Sequence, residues 1–418
     1  MSETSTSGKI CVIIGASHAG VNCAFHLRNE GWEGEILLYD ADPTLPYHRP
    51  PLSKAYLTHE EEGGRSQLRS AESYERKNIG LKLGLKVKAI QRDPRTITLE
   101  DGSEQTYDKL ILATGARPLV PPIKGLDEAK HLYFMRTAED ALRIRQRIRT
   151  CARKRVVVIG GGYIGLEAAA SLRKIGADVT VLERESRVLA RVAAPATSDY
   201  FERLHASHGV DIFTGKQVDA IETAANHDEL ICTDGSRFEA DMIVIGVGIR
   251  VNTELAASIG IEIENGIRVD ASTRTSDEDI FAIGDCTYHH NPHYDRYVRL
   301  ESVQNAADQA KVCAAAVCGK EAQYNALPWF WSDQYGVKLQ MVGLSTDYDE
   351  VHVRKEEGEA ERLSVWYFAG DRLLAVDAIN FPKAYVMGTK LIKSNQRISK
   401  KNLVDGSMEF SMENLAEN

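Results

Sequence analysis

The stretch RVVVIGGGYIGLEAAASLRKIGADVTVLE, residues 155–183, decides the fold. Its β-branched run, 156–159, reads as a strand buried on both faces, as in a parallel sheet. Gly160, Gly162 and Gly165 follow with the spacing G-x-G-x-x-G. A small-residue helix is predicted from Tyr163 to about Lys174, and a second strand over 178–182 ends in Glu183. Each part has a physical task. Gly160 permits the tight turn, Gly162 lets backbone approach a pyrophosphate, and Gly165 lets helix and strand pack closely. The helix start, with Tyr163 and Ile164, aims N–H groups and the positive end of its dipole at the phosphates. Glu183 can accept hydrogen bonds from a ribose diol. Strand, glycines, helix, strand and terminal acid all occur in register, which indicates dinucleotide binding far more strongly than the glycines alone.

A second copy lies upstream. A strand over 9–14 runs into Gly15-Ala16-Ser17-His18-Ala19-Gly20, the same pattern with Ser17 at the middle glycine position. Serine is small enough for close phosphate approach, though less permissive than glycine. A helix is predicted from Gly20 to about Asn29. The strand after it, 35–39, ends near Asp40 and Asp42, and spacing does not choose which acid takes a ribose. The repetition continues downstream. ITLEDGSEQTYDKLILATG (97–115) and LICTDGSRFEADMIVIGVG (230–248) share a strand, a D-G-S turn, a polar strand and a buried strand ending in glycine. This is an internal duplication of a βαβ unit, a β-meander and a return strand. Two such units allow one resident and one exchangeable nucleotide cofactor. Between them the pattern predicts one strand over 81–90 and an arginine-rich helix over 138–150.

The composition excludes several classes. The 418 residues are 43% hydrophobic and 27% charged, with net charge −9, which describes an ordinary globular protein and argues against a general nucleic-acid binder. No apolar run reaches membrane-spanning length and the start, MSETSTSGK, has no apolar core of a secretory signal, so cytoplasm is the default expectation. Seven scattered cysteines form no C-x-x-C and read as reduced and structural, with no metal site. His289, His290 and His293 in YHHNPH read as a surface loop rather than a metal site.

Other segments carry chemistry-bearing residues. PYHRPPLSKAYL (46–57) breaks regular structure at three prolines and brings in Arg49 and Lys54. SDEDIFAIGD (276–285) is a strand ending at Asp285, placed to hold a ribityl or phosphate oxygen. The helix over 299–317 carries Ser302 in its first turn. The last section has strand patterns and Trp329, Trp331 and Trp366, which as aromatics are foremost core. Residues 383–401 hold six basic residues and no acid, either a solvated helix face or a surface for an acidic partner.

GASHAG, PYHRPPLSKAYL, LATGARP, GGGYIGLEAA, IFAIGDC, RLESVQNA and PWFWSDQYGVKLQ occur in that order. Together they resemble the FAD-dependent pyridine nucleotide oxidoreductases, and most of all the ferredoxin reductases of bacterial oxygenase systems, the putidaredoxin reductase and biphenyl dioxygenase ferredoxin reductase type. The resemblance implies an α/β, glutathione-reductase-like fold of two Rossmann-type nucleotide-binding domains plus an α+β C-terminal domain. The FAD domain is expected from 1–116 and 247–323, the NAD domain from 117–246, and the C-terminal domain from 324–418. It implies that Gly15, Ala16, Ser17 and Gly20 meet FAD pyrophosphate, with Asp40 or Asp42 on the ribose. Val87 and Arg136 are implied at the adenosine end, and Ala113, Thr114, Gly115, Asp285 and Ser302 along the cofactor. Arg49, Lys54, Val303 and Trp331 are implied on the flavin side. NADH is implied at Gly160, Gly162, Tyr163, Ile164, Gly165, Glu167, Glu183 and Gly248. Lys54, Glu167 and Trp331 are the implied catalytic residues.

The implied activity is an NADH-dependent flavoprotein reductase that passes electrons from NADH via FAD to a two-iron ferredoxin serving an oxygenase. Glu183 favours NADH over NADPH by repelling a 2′-phosphate, although Arg184 and Arg187 are residues an NADPH site would want. The segment 40–60 contains no cysteine, which excludes the dithiol chemistry that other members of this fold place there. The alternatives are a quinone or monodehydroascorbate-like reductase, a rubredoxin reductase, or a redox interaction protein like apoptosis-inducing factor. Monomer and homodimer both remain open.

Overall fold

The computed structural model describes residues 8–58, 66–224, 227–356 and 361–417. The described residues divide into two compact units, one drawn from 1–48, 64–117 and 249–328, the other from 49–63, 118–248 and 329–418.

The first unit is built on a five-stranded sheet in the order Ile280–Ala282, Lys109–Leu112, Ile10–Ile14, Glu35–Asp40 and Ile79–Leu83, every neighbouring pair parallel. Strand alternation explains the apolar run at its centre. Cys11 and Ile13 pack with Leu27 and Ala310 of the helices His18–Glu30 and Val303–Val317, while Val12 and Ile14 pack with Ile97, Leu99 and Ile267 on the opposite face. The single strand expected over 81–90 is in fact two. Ile79–Leu83 closes the parallel sheet, and Val87–Gln91 opens an antiparallel meander with Thr96–Leu99 and Glu104–Thr106. Gly84, at φ +70°, makes the corner between them, a conformation that a side chain rarely tolerates.

The second unit repeats the plan. Its parallel sheet runs Asp211–Phe213, Asp178–Leu182, Arg155–Ile159, Met242–Ile245 and Leu132–Phe134, and its meander is Val218–Thr223, Asp228–Cys232 and Arg237–Ala240. The two D-G-S turns match atom by atom. Asp101 Oδ1 accepts from Ser103 N and Oγ at 2.9 and 2.6 Å, and Asp234 Oδ1 accepts from Ser236 N and Oγ at 3.0 and 2.6 Å. Gly102 and Gly235 sit at φ +86° and +83° in these turns.

The same unit carries an antiparallel sheet in the order Trp329–Gln334, Val337–Gly343, Arg372–Ile379, Arg362–Ala369 and Glu350–Glu356. Leu339, Val365 and Tyr367 on this sheet share a core with Leu166, Val188 and Phe201. The helix Pro382–Ser394 lies against it so closely that a Cβ on Gly388 would fall 2.6 Å from Val376 Cγ2. Buried Arg354 ties the chain's last turns down, donating to the carbonyls of Leu403, Asp405 and Met408.

All seven cysteines are free thiols. Among the described residues no helix is long and apolar enough to cross a membrane. The histidine cluster departs from the expected surface loop. Thr287–Asn291 is a strand paired with Arg296–Val298, so its side chains alternate: His289 is buried against Gln309, and His290 turns outward to Asp295. His293 bonds the Asn325 carbonyl, a third direction.

Candidate functional site

Each glycine turn is a backbone device with no room for side chains. In the first unit Gly15, at φ +110°, would place a Cβ 2.2 Å from Ala113 O, and a Cβ on Gly20 would lie 1.9 Å from Gly15 O. In the second, Gly160 at φ +107° would place a Cβ 2.5 Å from Gly246 O, and a Cβ on Gly165 would lie 2.0 Å from Gly160 O. The middle position differs in kind. Gly162 caps its helix from extended backbone, and a Cβ there would meet nothing within 4 Å. Ser17 caps its helix at φ −106°, ψ −159°, also extended, so serine adds no backbone strain. An open middle position, a helix start behind it and an acid beside it are what a dinucleotide pyrophosphate and ribose require. Both turns fit.

The acids are now distinguishable. The parallel register pairs Ile14 with Tyr39 and Ile159 with Leu182, so Asp40 and Glu183 each come one residue after the last pair. Asp40 Oδ2 accepts from Ala16 N at 2.5 Å and Oδ1 from Asp42 N at 2.8 Å. Glu183 Oε2 accepts from Gly161 N at 2.6 Å and Oε1 from Glu185 N at 2.8 Å. Asp42 turns away, with Oδ1 on Thr44 N and Oδ2 on the Tyr47 hydroxyl. Asp40 is therefore the structural counterpart of Glu183. Near Glu183, Arg187 is committed to the carbonyls of Ala190 and Ala193 and to Ser198 Oγ, and exposed Arg184 pairs with Glu185 at 2.8 Å.

The other cofactor candidates of the first unit are held by their own bonds. Thr114 Oγ1 donates to Asn252 O at 2.7 Å, and Asn252 Nδ2 returns a bond to Thr114 O, fixing the Ala113–Thr114–Gly115 turn. Asp285 sits in the short helical turn Gly284–Cys286, where Gly284 N donates to buried Gln309 Oε1. Ser302 caps the following helix by accepting from Asn305 N, which leaves Val303 at the first helical position. Val87 is buried in the meander.

The second unit holds a buried polar cluster. The prolines of 46–57, expected to break regular structure, start a short helical turn, Pro50–Ser53, followed by the helix Ala55–Thr58. This delivers Lys54 to Glu167, four residues into the helix after the glycine turn, with Nζ 2.6 Å from Oε2. Glu167 is only 4% exposed. Its Oε2 also accepts from Ser53 Oγ at 2.7 Å, and its Oε1 from Ser332 Oγ at 2.6 Å. Ser171, one helical turn on, fixes Ser53 by donating to its carbonyl at 2.6 Å. Arg49 donates to Arg136 O, and Thr137 next to it starts the helix Ala138–Thr150 with a capping box. Trp331 is half-buried, 5.5 Å from exposed Trp329, and Trp329 meets Tyr385 edge-on. Tyr163 packs on Phe330, Ile164 is exposed, and Gly248, at φ +119°, lies beside Arg191.

Sequence reasoning missed Ser53, Ser171 and Ser332. The signals were Ser171 four residues after Glu167, and Ser332 and Gln334 alternating polar at the buried positions of a strand.

Residues 9–310 match the family described as pyridine nucleotide-disulphide oxidoreductase, and residues 329–412 match the reductase C-terminal family. The chain belongs to the pyridine nucleotide-disulphide oxidoreductases. It is an enzyme, and its relatives bear out the ferredoxin reductase resemblance. Putidaredoxin reductase of Pseudomonas putida is 44% identical over 402 residues, covering 95% of this chain and 94% of that protein. A ferredoxin–NAD(P)(+) reductase of a Sphingomonas species is 39% identical over 392 residues, covering 93% of each. The crystal structure of the covalent putidaredoxin reductase–putidaredoxin complex matches with TM-score 0.90 and 43% identity, over 96% of this chain and 97% of that one. Despite the family's name, no cysteine lies in 40–60, and all seven are free.

Proposed function

We propose that this chain is a cytoplasmic NADH-dependent flavoprotein reductase that delivers electrons to a two-iron ferredoxin of an oxygenase system. The observation that carries this reading is the pair of nucleotide turns, one in each unit, in a chain without a thiol pair in 40–60. FAD belongs at the Gly15–Gly20 turn, with Asp40 rather than Asp42 on its ribose. Bound there, FAD supplies the conversion of a two-electron hydride into single electrons. NADH belongs at the Gly160–Gly165 turn. The domain limits go with the family resemblance: 1–116 with 247–323 for FAD, 117–246 for NADH, and 324–418 for the C-terminal domain.

The chain's own residues supply binding, orientation and charge. Gly162 gives the NADH pyrophosphate access to backbone, and Glu183 receives the ribose. Glu167 lies one turn into the same helix, and its carboxylate holds the Lys54 ammonium in place. NADH purified protein assays should show kcat/KM about a hundredfold above NADPH, a difference of about 2.7 kcal/mol. Glu183→Gln should narrow that ratio, because the repelling charge is gone. An NADPH preference in the unaltered enzyme refutes the role given to Glu183.

The carrier surface is narrower than the basic stretch suggested. Lys400 pairs with Glu350 and Arg397 with Asp371, so these two are spent on the protein itself. Val386, Lys390 and Lys393 share one exposed face of the helix Pro382–Ser394. This apolar-and-cationic face suits an acidic iron–sulfur protein. Lys390→Glu with Lys393→Glu should slow ferredoxin-dependent cytochrome c reduction about tenfold and leave ferricyanide reduction intact. Equal loss in both assays rules out docking there. The whole reading is tested by screening ferredoxins and rubredoxins with NADH as donor. Stimulation by a two-iron ferredoxin supports it; turnover of a quinone with no response to any carrier overturns it.

A further inference from the structure

The Glu167 cluster does not end at Ser332. Gln334 Nε2 donates to Ser332 Oγ at 3.1 Å, and Gln334 Oε1 lies 2.7 Å from His205 Nε2. Ser332, Gln334 and His205 are all within 1% of full burial. Their hydrogen bonds can run only one way. The Glu167 carboxylate, in an ion pair with Lys54, can only accept, so Ser332 must give it its single proton. Ser332 then accepts from the Gln334 amide N–H, which turns the Gln334 carbonyl oxygen toward His205. That oxygen accepts, so His205 must carry its proton on Nε2.

Two further observations agree with this direction. Nδ1 of His205 has no hydrogen-bond partner among the described residues, which a buried ring tolerates only as the bare nitrogen of a neutral imidazole. Burial lowers the His205 pKa to about 4, so the ring stays neutral at working pH. A row with both its ends fixed in polarity has no low-energy alternative arrangement.

We propose that His205, Gln334 and Ser332 are positioning residues, a one-way row of hydrogen bonds that holds the Glu167 carboxylate turned toward Lys54. This rests on the reading of Glu167 as part of the NADH-reacting site. His205 is buried and is joined to Glu167 through Gln334 and Ser332. It acts by fixing the Gln334 amide, which fixes the Ser332 hydroxyl, which fixes Glu167 Oε1 and so leaves Oε2 for Lys54 and Ser53.

Three variants of matched size separate positioning from packing. His205→Gln keeps a donor at the place of Nε2 and should retain kcat within about twofold. His205→Leu removes the donor, and Gln334→Met keeps the volume but removes both the amide donor and the carbonyl acceptor; each should lower kcat for NADH–ferricyanide turnover about tenfold with KM for NADH within about twofold, the usual size of an outer-shell loss. Equal kcat in His205→Gln and His205→Leu overturns the proposal. So does a Gln334→Met variant that turns over like the unaltered enzyme. A second measurement needs no variant to be active. 15N NMR of histidine-labelled holoenzyme, with the His205 signal assigned by its loss in His205→Gln, should show a neutral ring protonated on Nε2. A ring protonated on Nδ1 refutes the row even if the enzyme works. An enzyme that shows the Nε2 tautomer but oxidises no NADH leaves the row standing and refutes the functional reading instead.

Discussion

Gly20→Ala should purify without the yellow colour of bound flavin, while Gly165→Ala should stay yellow and lose NADH oxidation. The two substitutions are the same chemical change at equivalent places of the duplicated fold. A Cβ at Gly20 would sit 1.9 Å from Gly15 O, and one at Gly165 would sit 2.0 Å from Gly160 O. Both obstacles are backbone carbonyls within the turn, so no side chain can swing away. The helix must lift from the strand that precedes it, carrying its N-terminal N–H groups with it. A misplacement of about 1 Å in a positioning element costs on the order of a hundredfold, and that is the expected loss of kcat/KM for NADH in Gly165→Ala. The usual effect of Gly→Ala in a helix works in the opposite direction, a gain of about 1 kcal/mol, so a loss isolates the turn. Chemically reduced Gly165→Ala should still deliver electrons to ferredoxin, because its flavin unit is untouched. If Gly20→Ala retains flavin and Gly165→Ala loses it, the assignment of the two cofactors to the two turns is reversed.

The contrast between those turns and the rest of the site shows what a sequence makes legible. Close backbone approach is a local constraint, and it leaves a local mark: glycine at fixed offsets between a strand and a helix. The duplicated D-G-S turns were readable for the same reason, since Asp101 and Asp234 each bond a serine two residues away. The choice between Asp40 and Asp42 was not readable, because the first unit places the acid 25 positions after its first glycine where the second places it 23 after. Only the strand register brings Asp40 and Glu183 to the same place. Gly84 hid for a related reason: a lone glycine inside an alternating strand pattern does not announce whether it bends a strand or ends it. The Glu167 shell was least legible. Ser53 and Ser332 lie 114 and 165 residues from the acid they bond, and no local pattern spans such distances. What was available was the oddity of Ser332 and Gln334, polar residues at buried positions of a strand, which signals a partner without naming it.

Glu167→Gln should cut NADH-driven turnover about a hundredfold and lower the melting temperature, and the double variant Lys54→Met, Glu167→Gln should recover the temperature but not the turnover. The single change leaves the Lys54 ammonium, whose side chain is 21% exposed, without its counter-ion. Stranding one member of a buried pair costs about 3–5 kcal/mol, and the partial exposure of Lys54 puts this case at the lower end. The amide also brings a donor to a place where Ser53, Lys54 and Ser332 already donate, so one hydroxyl must turn away. Removing both charges eliminates the stranded cation, and methionine fills the lysine's stem volume, so most of the stability returns. Stability and catalysis then separate. The interaction energy between the two positions, taken from the melting data of both singles and the double, measures the structural coupling of the pair. Turnover follows a different rule, because it depends on having a cation held at the Lys54 position, which the double variant lacks. A double variant that regains turnover together with its melting temperature would show that Lys54 and Glu167 only hold the fold together, and the catalytic role assigned to them would have to be given up.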